Sequence, residues 1–317
     1  MLGPLLTMGA LRVSGIALAP IPWSREAGQW VIASALGLYF TPTIAMQVLA
    51  EWPFLLAGTL FCVVIAALGA GFLSKAAGVD GATAFFSSVP GGSLEMSNLA
   101  QRAGGRADLV AVAQSLRILI VVLLIPSAYG ILGLQGTDTF VFAGLPFDGR
   151  GLALLLGAAL AGGAALHWMR VPNAWMLGPL FVSVALRLSG VPTSSVPTWA
   201  LNASQVFIGV ALGVRFQPDL LDQGRRFSLA VVASVLGAMT LTALVAASLG
   251  WWAHIPIATA VLATAPGGMA DMCLAAKVMR HGVPLVTAAH VIRVVFLVIC
   301  TSPLHRAYLA LRATRRS

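Results

Sequence analysis

Val89-Pro90-Gly91-Gly92-Ser93-Leu94-Glu95-Met96 returns as Ala265-Pro266-Gly267-Gly268-Met269-Ala270-Asp271-Met272, 176 residues further along a chain of 317. Both copies set a Pro-Gly-Gly break inside an apolar helical stretch. Both put a carboxylate three residues after the second glycine. Proline has no amide hydrogen and glycine disfavours helix, so the backbone is expected to unwind at Pro90-Gly91-Gly92 and Pro266-Gly267-Gly268. In a lipid-embedded chain such a segment is tolerated only where it is buried in protein or lines a wet cavity. Paired breaks with paired acids are one way in which transporters build a site at mid-membrane.

The surroundings of the motif are lipid-like. The chain is 59% apolar and 9% charged, with a mean hydropathy of +0.92. A soluble domain carries about a quarter charged residues. Apolar runs recur from end to end, which reads as an all-α, polytopic membrane helix bundle. Runs such as Leu152–Leu166 and Leu229–Leu249 lack the alternation of a β-barrel. The net charge of +9 does not point to nucleic acid. Lys and Arg sit mostly at segment ends and in short loops, the positive-inside distribution of a membrane protein. All eight tryptophans lie near segment ends too, as interfacial belts do. Cys62, Cys273 and Cys300 are scattered through apolar segments and read as small buried hydrophobes. No cleavable signal is apparent at Met1–Pro20, which lacks a basic start and a small-residue cleavage site.

The duplication extends well beyond the acid motif. Met1–Gly15 aligns with Met176–Gly190 at ten of fifteen positions, and Gln29–Pro42 with Gln205–Pro218 at seven of fourteen. Gln114-x-x-Arg117 answers His290-x-x-Arg293 at the offset of the acid motif. The expected organisation is a membrane repeat over 1–134, a linker over 135–150, and a second repeat over 151–317. The apolar segment at 151–170 has no partner in the first copy, so the first helix of that copy is expected upstream of Met1. The loop after Phe216 carries Arg225 and Arg226 where its equivalent carries only Glu51. Lys75 reverses that bias in the next loop. Opposite charge at equivalent loops suggests repeats of inverted topology, although both copies are basic after the broken segment.

Two readings of the acids stand. Glu95 and Asp271 fall in the first turn of a half-helix, where they complement its dipole for about 0.3–1 kcal/mol. They also carry a cost at membrane depth, near 2.5–3.5 kcal/mol for Asp, which an ion or proton site would explain. Arg117 and Arg293 lie between apolar neighbours in the next helix. They either tie the acids or the carbonyls freed by the break, or bind an anionic substrate group. Ser87, Ser88, Asn98, Gln114, Thr264 and His290 could complete a cavity, although each can equally be helix–helix glue. Gln29 and Gln205 match in the alignment and read as packing residues.

With the two Leu-Gly-Pro-Leu stretches and the two Pro-Gly-Gly-x-x-acid-Met stretches in view, the whole chain resembles the bacterial AbrB-type membrane protein family. The resemblance implies the duplicated domain, often with an upstream helix that this sequence does not contain. It also brings labels that conflict: ammonia monooxygenase, regulator of gene expression, transporter. The pattern is similar as well to cation/proton antiporter and anion transporter folds with inverted repeats and crossed broken helices. Oxygenase chemistry would need clustered ligands, and His167, His254, His281, His290 and His305 sit in different segments with no paired spacing. No metal, cofactor or catalytic residue is expected. A DNA-reading element has one candidate, the basic tail His305–Ser317, which fits the lipid headgroups better. The sequence therefore points to a non-enzymatic, multi-pass protein of the bacterial inner membrane. It would handle a small solute coupled to H+ or Na+, with any effect on gene expression indirect. Its partners would be the bilayer and that solute, and a homodimer is compatible with it.

Overall fold

The computed structural model describes residues 2–14, 16, 21–134, 136, 145–214 and 224–314. Most of the 135–150 linker and the last three residues of the basic tail lie outside these. The described residues form no strand and fourteen α-helices. They are α1 (Leu2–Val13), α2 (Ser24–Gly37), α3 (Pro42–Ala50), α4 (Trp52–Ala76), α5 (Gly81–Ser88), α6 (Ser93–Arg102) and α7 (Ala107–Ile131). After the linker come α8 (Gly149–Trp168), α9 (Ala174–Leu188), α10 (Thr198–Gly213), α11 (Arg225–Trp252), α12 (Ile257–Thr264), α13 (Met269–Met279) and α14 (Val283–Thr314). The helical repeat is as read from the sequence, with one addition. Pro42–Ala50 forms a separate helix, bent 92° from α2. Thr41 caps it through the Ile44 amide, with Pro42 in the first turn, the position where a missing N–H does no harm.

Among the described residues, five helices are long and apolar enough to cross a membrane: α4, α7, α8, α11 and the Val283–Thr301 part of α14. The bent α2–α3 pair makes a sixth if it counts as one span. On α4, Leu56, Leu60, Val64, Leu68 and Phe72 are all exposed. Their spacing of four places them on one helix face, a stripe suited to lipid and not to water. Trp23, Trp52, Trp168, Trp199, Trp251 and Trp252 are exposed at or beside helix ends, as an interfacial belt requires.

The chain divides into two compact units, and each draws on both sequence copies. One comprises 1–52, 134–218 and 273–287; the other comprises 53–133, 219–272 and 288–317. In the first unit, α2 packs on α9 and α1 packs on α10, so each copy's helix is matched by one from the other copy. The two contacts repeat each other. A Cβ on Gly37 would lie 2.9 Å from the Leu180 carbonyl and 2.5 Å from the Ser183 side chain. A Cβ on Gly213 would lie 2.7 Å from the Leu5 carbonyl and 2.6 Å from the Met8 side chain. Glycine lets the backbones touch, the usual means of joining helices in lipid, where the hydrophobic effect gives no drive. Trp30 also donates its indole N–H to the Leu156 carbonyl at 3.1 Å, linking α2 to α8.

In the second unit, α11 packs on α7 and α12, while α5 and α6 pack on α7. Both broken segments therefore begin in this unit. Asp80 caps α5 by accepting from the Thr83 amide at 2.8 Å. The Thr83 hydroxyl in turn accepts from the Arg106 amide at 2.8 Å, which holds the start of α7 against the start of α5.

Candidate functional site

The backbone leaves helical conformation at 89–92 and again at 265–268. Neither break needs the left-handed freedom of glycine. Val89 and Gly92 are extended, and none of Gly91, Gly92, Gly267 and Gly268 has a positive φ. The glycines supply room. A Cβ on Gly91 would lie 2.7 Å from the Met96 side chain, and one on Gly267 would lie 2.8 Å from Met272. A Cβ on Gly92 would collide with the Glu95 carboxylate, and one on Gly268 with that of Asp271. Both glycines of Pro-Gly-Gly-x-x-acid-Met thus have a spatial reason. The first glycine makes room for the methionine five residues on, the second for the acid three residues on. Glu95 occupies the third position of α6, from which a carboxylate reaches back to the helix start, and its fold over Gly92 brings it there. Asp271 does the same at α13. Glu95 is half-buried and Asp271 is buried.

The carbonyls released by each break are taken up by the next helix. Gln114 Nε2 donates to the Phe86 and Val89 carbonyls, both at 2.8 Å. Arg117 donates Nη1 to Val89 O at 3.1 Å and Nη2 to Gly91 O at 3.2 Å. In the second copy, Arg293 donates Nη1 to Ala265 O at 2.5 Å and Nη2 to Gly267 O at 2.9 Å. His290 Nε2 meets Leu262 O at 3.0 Å, and its Nδ1 lies 2.6 Å from Arg293 Nη2. A guanidinium only donates, so Nδ1 is the acceptor and the ring proton sits on Nε2, facing Leu262. The planar fork of arginine spans two carbonyls at once, which a lysine ammonium cannot do. Both arginines and both of their polar companions are buried.

The two breaks border one space. Pro90 and Pro266 line a cavity of about 30 Å³ in the second unit, room for roughly two water molecules. Its polar lining is Ser87, Ser88, Arg117, Ser234, Thr242 and Thr264. Ser88 and Thr264 turn their hydroxyl hydrogens onto the carbonyls four residues back, Ala84 and Ala260, each at 2.9 Å. A second cavity of about 10 Å³ lies beside Gly58, Thr59, Thr264 and Arg293. These positions correspond, at the offset of 176, to Ser234, Val235, Ser88 and Arg117 of the first. The spaces are therefore repeat-related, and the one beside Arg117 is the larger. Glu95 and Asp271 line neither cavity, and Asn98 is exposed on α6. Sequence reading did not single out Ser234 or Thr242; the one available signal was a hydroxyl amid the apolar run of α11. Among the described residues, no three His, Cys, Asp or Glu side chains gather as a metal site.

A sequence family described as "Transition state regulatory protein AbrB" matches residues 1–309. The chain belongs to the AbrB family. It is 26% identical over 321 aligned positions to the "Putative regulator AbrB" of Escherichia coli strain K12, covering 100% of this chain and 91% of that one. It is 25% identical over 302 positions to the "Uncharacterized protein YhjN" of Bacillus subtilis strain 168, covering 88% of this chain and 77% of the relative. Both alignments span both Pro-Gly-Gly breaks, since neither leaves room for a missing half. In this AbrB-family chain the repeated motif builds a pair of tied helix breaks that border one cavity.

Proposed function

We propose that this chain is a secondary transporter of a small solute in the bacterial inner membrane. The cavity bordered by Pro90 and Pro266 would be its translocation site. One observation carries the reading: two interrupted helices, one from each sequence copy, border one cavity whose mainly apolar wall includes six polar side chains, within a bundle apolar enough to span a membrane. A structural kink needs no polar space between two breaks. A translocation path does, because backbone irregularity in lipid belongs beside protein or water. In this reading Glu95 and Asp271 handle the coupling H+ or Na+ at the half-helix starts. Arg117 and Arg293 hold the breaks open, and no residue has a catalytic role.

The regulatory name of the Escherichia coli relative fits as a consequence of moving a signalling solute. The test uses vesicles holding the purified chain, bathed in soluble cell extract under an imposed pH or sodium gradient. Mass spectrometry of the vesicle contents should find a solute accumulated by the wild type and not by Glu95→Gln or Asp271→Asn. Equal contents in protein-bearing and empty vesicles, under both gradients, would contradict the proposal.

A further inference from the structure

We infer that the cavity bordered by Pro90 and Pro266 binds a neutral head group that both donates and accepts hydrogen bonds, an amide or a hydroxyl of about the size of formamide. This class deepens the transporter reading, and rests on it only for the claim that the bound group is carried.

Two hydroxyls on the cavity wall can only accept. Ser88 and Thr264 line the space and give their hydrogens to Ala84 O and Ala260 O, each at 2.9 Å. Each is left with lone pairs for a ligand. A halide or a carboxylate would face them lone pair to lone pair. A group with an N–H or O–H would bond to them.

A third hydroxyl has the opposite need. Ser87 lines the same space and is 5% exposed, and its Oγ has no partner among the described residues. A buried donor left unmade is costly, so its hydrogen calls for an acceptor. An ammonium or amidinium would satisfy Ser88 and Thr264 and strand this hydrogen. A carboxylate would take it and leave the other two oxygens unmet. An amide or hydroxyl head answers both demands at once. Ser234 of α11 adds a hydroxyl able to play either part. It reaches the same spot as Ser88: a Cβ on Gly69 would lie 3.1 Å from Ser234 Oγ and 3.2 Å from Ser88 Oγ. Arg117, on the same wall, serves the break through Val89 O and Gly91 O.

Size and the second copy agree with this. The space of about 30 Å³ has room for roughly two water molecules, enough for a compact head, and the rest of its wall is apolar, including Ile65, Leu73, Val231 and Val235. In the repeat-related space, Ala263 stands in place of Ser87 and Gly58 in place of Ser234. The hydroxyls that remain there, Thr59 and Thr264, have both given their hydrogens to helix carbonyls, Leu55 O and Ala260 O. That space offers no hydroxyl donor, and at about 10 Å³ it holds no more than one water. The two-sided demand belongs to the larger cavity.

The experiment compares formamide, formate and formamidinium, which share one planar frame and differ in charge and in hydrogen-bond character. Each is titrated against the purified full chain in detergent near neutral pH. Binding is read by saturation-transfer NMR on the ligand's C–H proton and corrected for protein-free micelles. Transfer to formamide should saturate with concentration and exceed that to formate and to formamidinium about fivefold or more. Ser87→Ala and Ser234→Ala, checked for wild-type thermal unfolding, should each weaken formamide binding by a similar factor. Thr240→Ala, which removes an exposed hydroxyl of α11 outside the cavity, should not alter it. Strongest transfer to either ion, equal transfer to all three, or none to formamide overturns the inference, as does formamide binding that survives both serine changes. Solute accumulation in vesicles without a preference for formamide leaves the transporter reading standing and removes the neutral-head site alone. A formamide preference with no accumulation under either gradient keeps the site and removes its transport role.

Discussion

Replacing Arg293 by lysine separates a structural tie from a substrate ligand. Arg293 donates to three buried acceptors: Ala265 O, Gly267 O and His290 Nδ1. A lysine ammonium on its flexible stem can keep one of these in good geometry. The other two acceptors lose their donor in the interior of the protein. Hydrogen bonds to charged groups contribute about 1.5–3 kcal/mol in soluble proteins, but side-chain bonds between membrane helices average nearer 0.6 kcal/mol and reach about 1.7. Two lost bonds at the membrane scale, with both acceptors stranded, amount to about 2–3 kcal/mol. At roughly 2–4 °C per kcal/mol, Arg293→Lys should unfold about 5–10 °C earlier in detergent, whatever ligand is present. His290→Gln is the control. The first copy uses Gln114 at that position to reach the equivalent carbonyl, so this change should cost under about 1 kcal/mol. If Arg293→Lys keeps wild-type stability while solute handling is lost, the tie to the carbonyls is not the role of this residue.

Three further outcomes follow from the same geometry. Gly91→Ala should lower stability by about 1–3 kcal/mol through overpacking against Met96, and Gly91→Ala with Met96→Ala should cost less than the sum of the single changes, as read in a double-mutant cycle of thermal unfolding. His305, outside the apolar span of α14, packs 4.8 Å from the Phe86 ring. Burial lowers its pKa below the usual 6.5, opposed by Asp80. The unfolded chain therefore takes up this proton first, and stability should fall as pH drops below about 6.5; His305→Phe should flatten that dependence between pH 7.5 and 5.5. Cysteines at Lys75 and His254, in a chain without native cysteine, should react with an impermeant thiol reagent from opposite faces if the repeats are inverted, and from one face if they are not.

Much of this was legible because lipid imposes few options on a chain. Apolar runs bounded by Arg and Trp located most of the helices, with ends off by up to ten residues at α14, and the repeated Pro-Gly-Gly marked the breaks. Three things were not legible. The α2–α3 bend depends on Thr41 capping the Ile44 amide, a local contact that shows in the sequence only as Thr41-Pro42-Thr43 ending an apolar run. The roles of Gln114 and Arg117 depend on carbonyls 25 to 28 residues upstream, which sequence spacing alone does not bring together. The reason for the glycines was also hidden. Helix avoidance suggested conformational freedom, whereas Gly91 and Gly92 keep ordinary φ values and give way to Met96 and Glu95. Ser234 was overlooked because a lone serine in an apolar helix is usually helix glue, and only Gly69 and Ser88 beside it reveal the space it lines.

The most direct test is accessibility of the cavity from each side of the membrane. Ser234→Cys, in a chain with Cys62, Cys273 and Cys300 replaced by alanine, is labelled with an impermeant maleimide in oriented vesicles. Asn98→Cys, labelled in detergent, serves as the control for reactive protein. A transporter cavity predicts that Ser234→Cys reacts from one face under one ion gradient and from the opposite face when the gradient is reversed. Labelling confined to a single face under both gradients, or absent from both faces while the control reacts, would contradict the claim that the paired breaks border a translocation site.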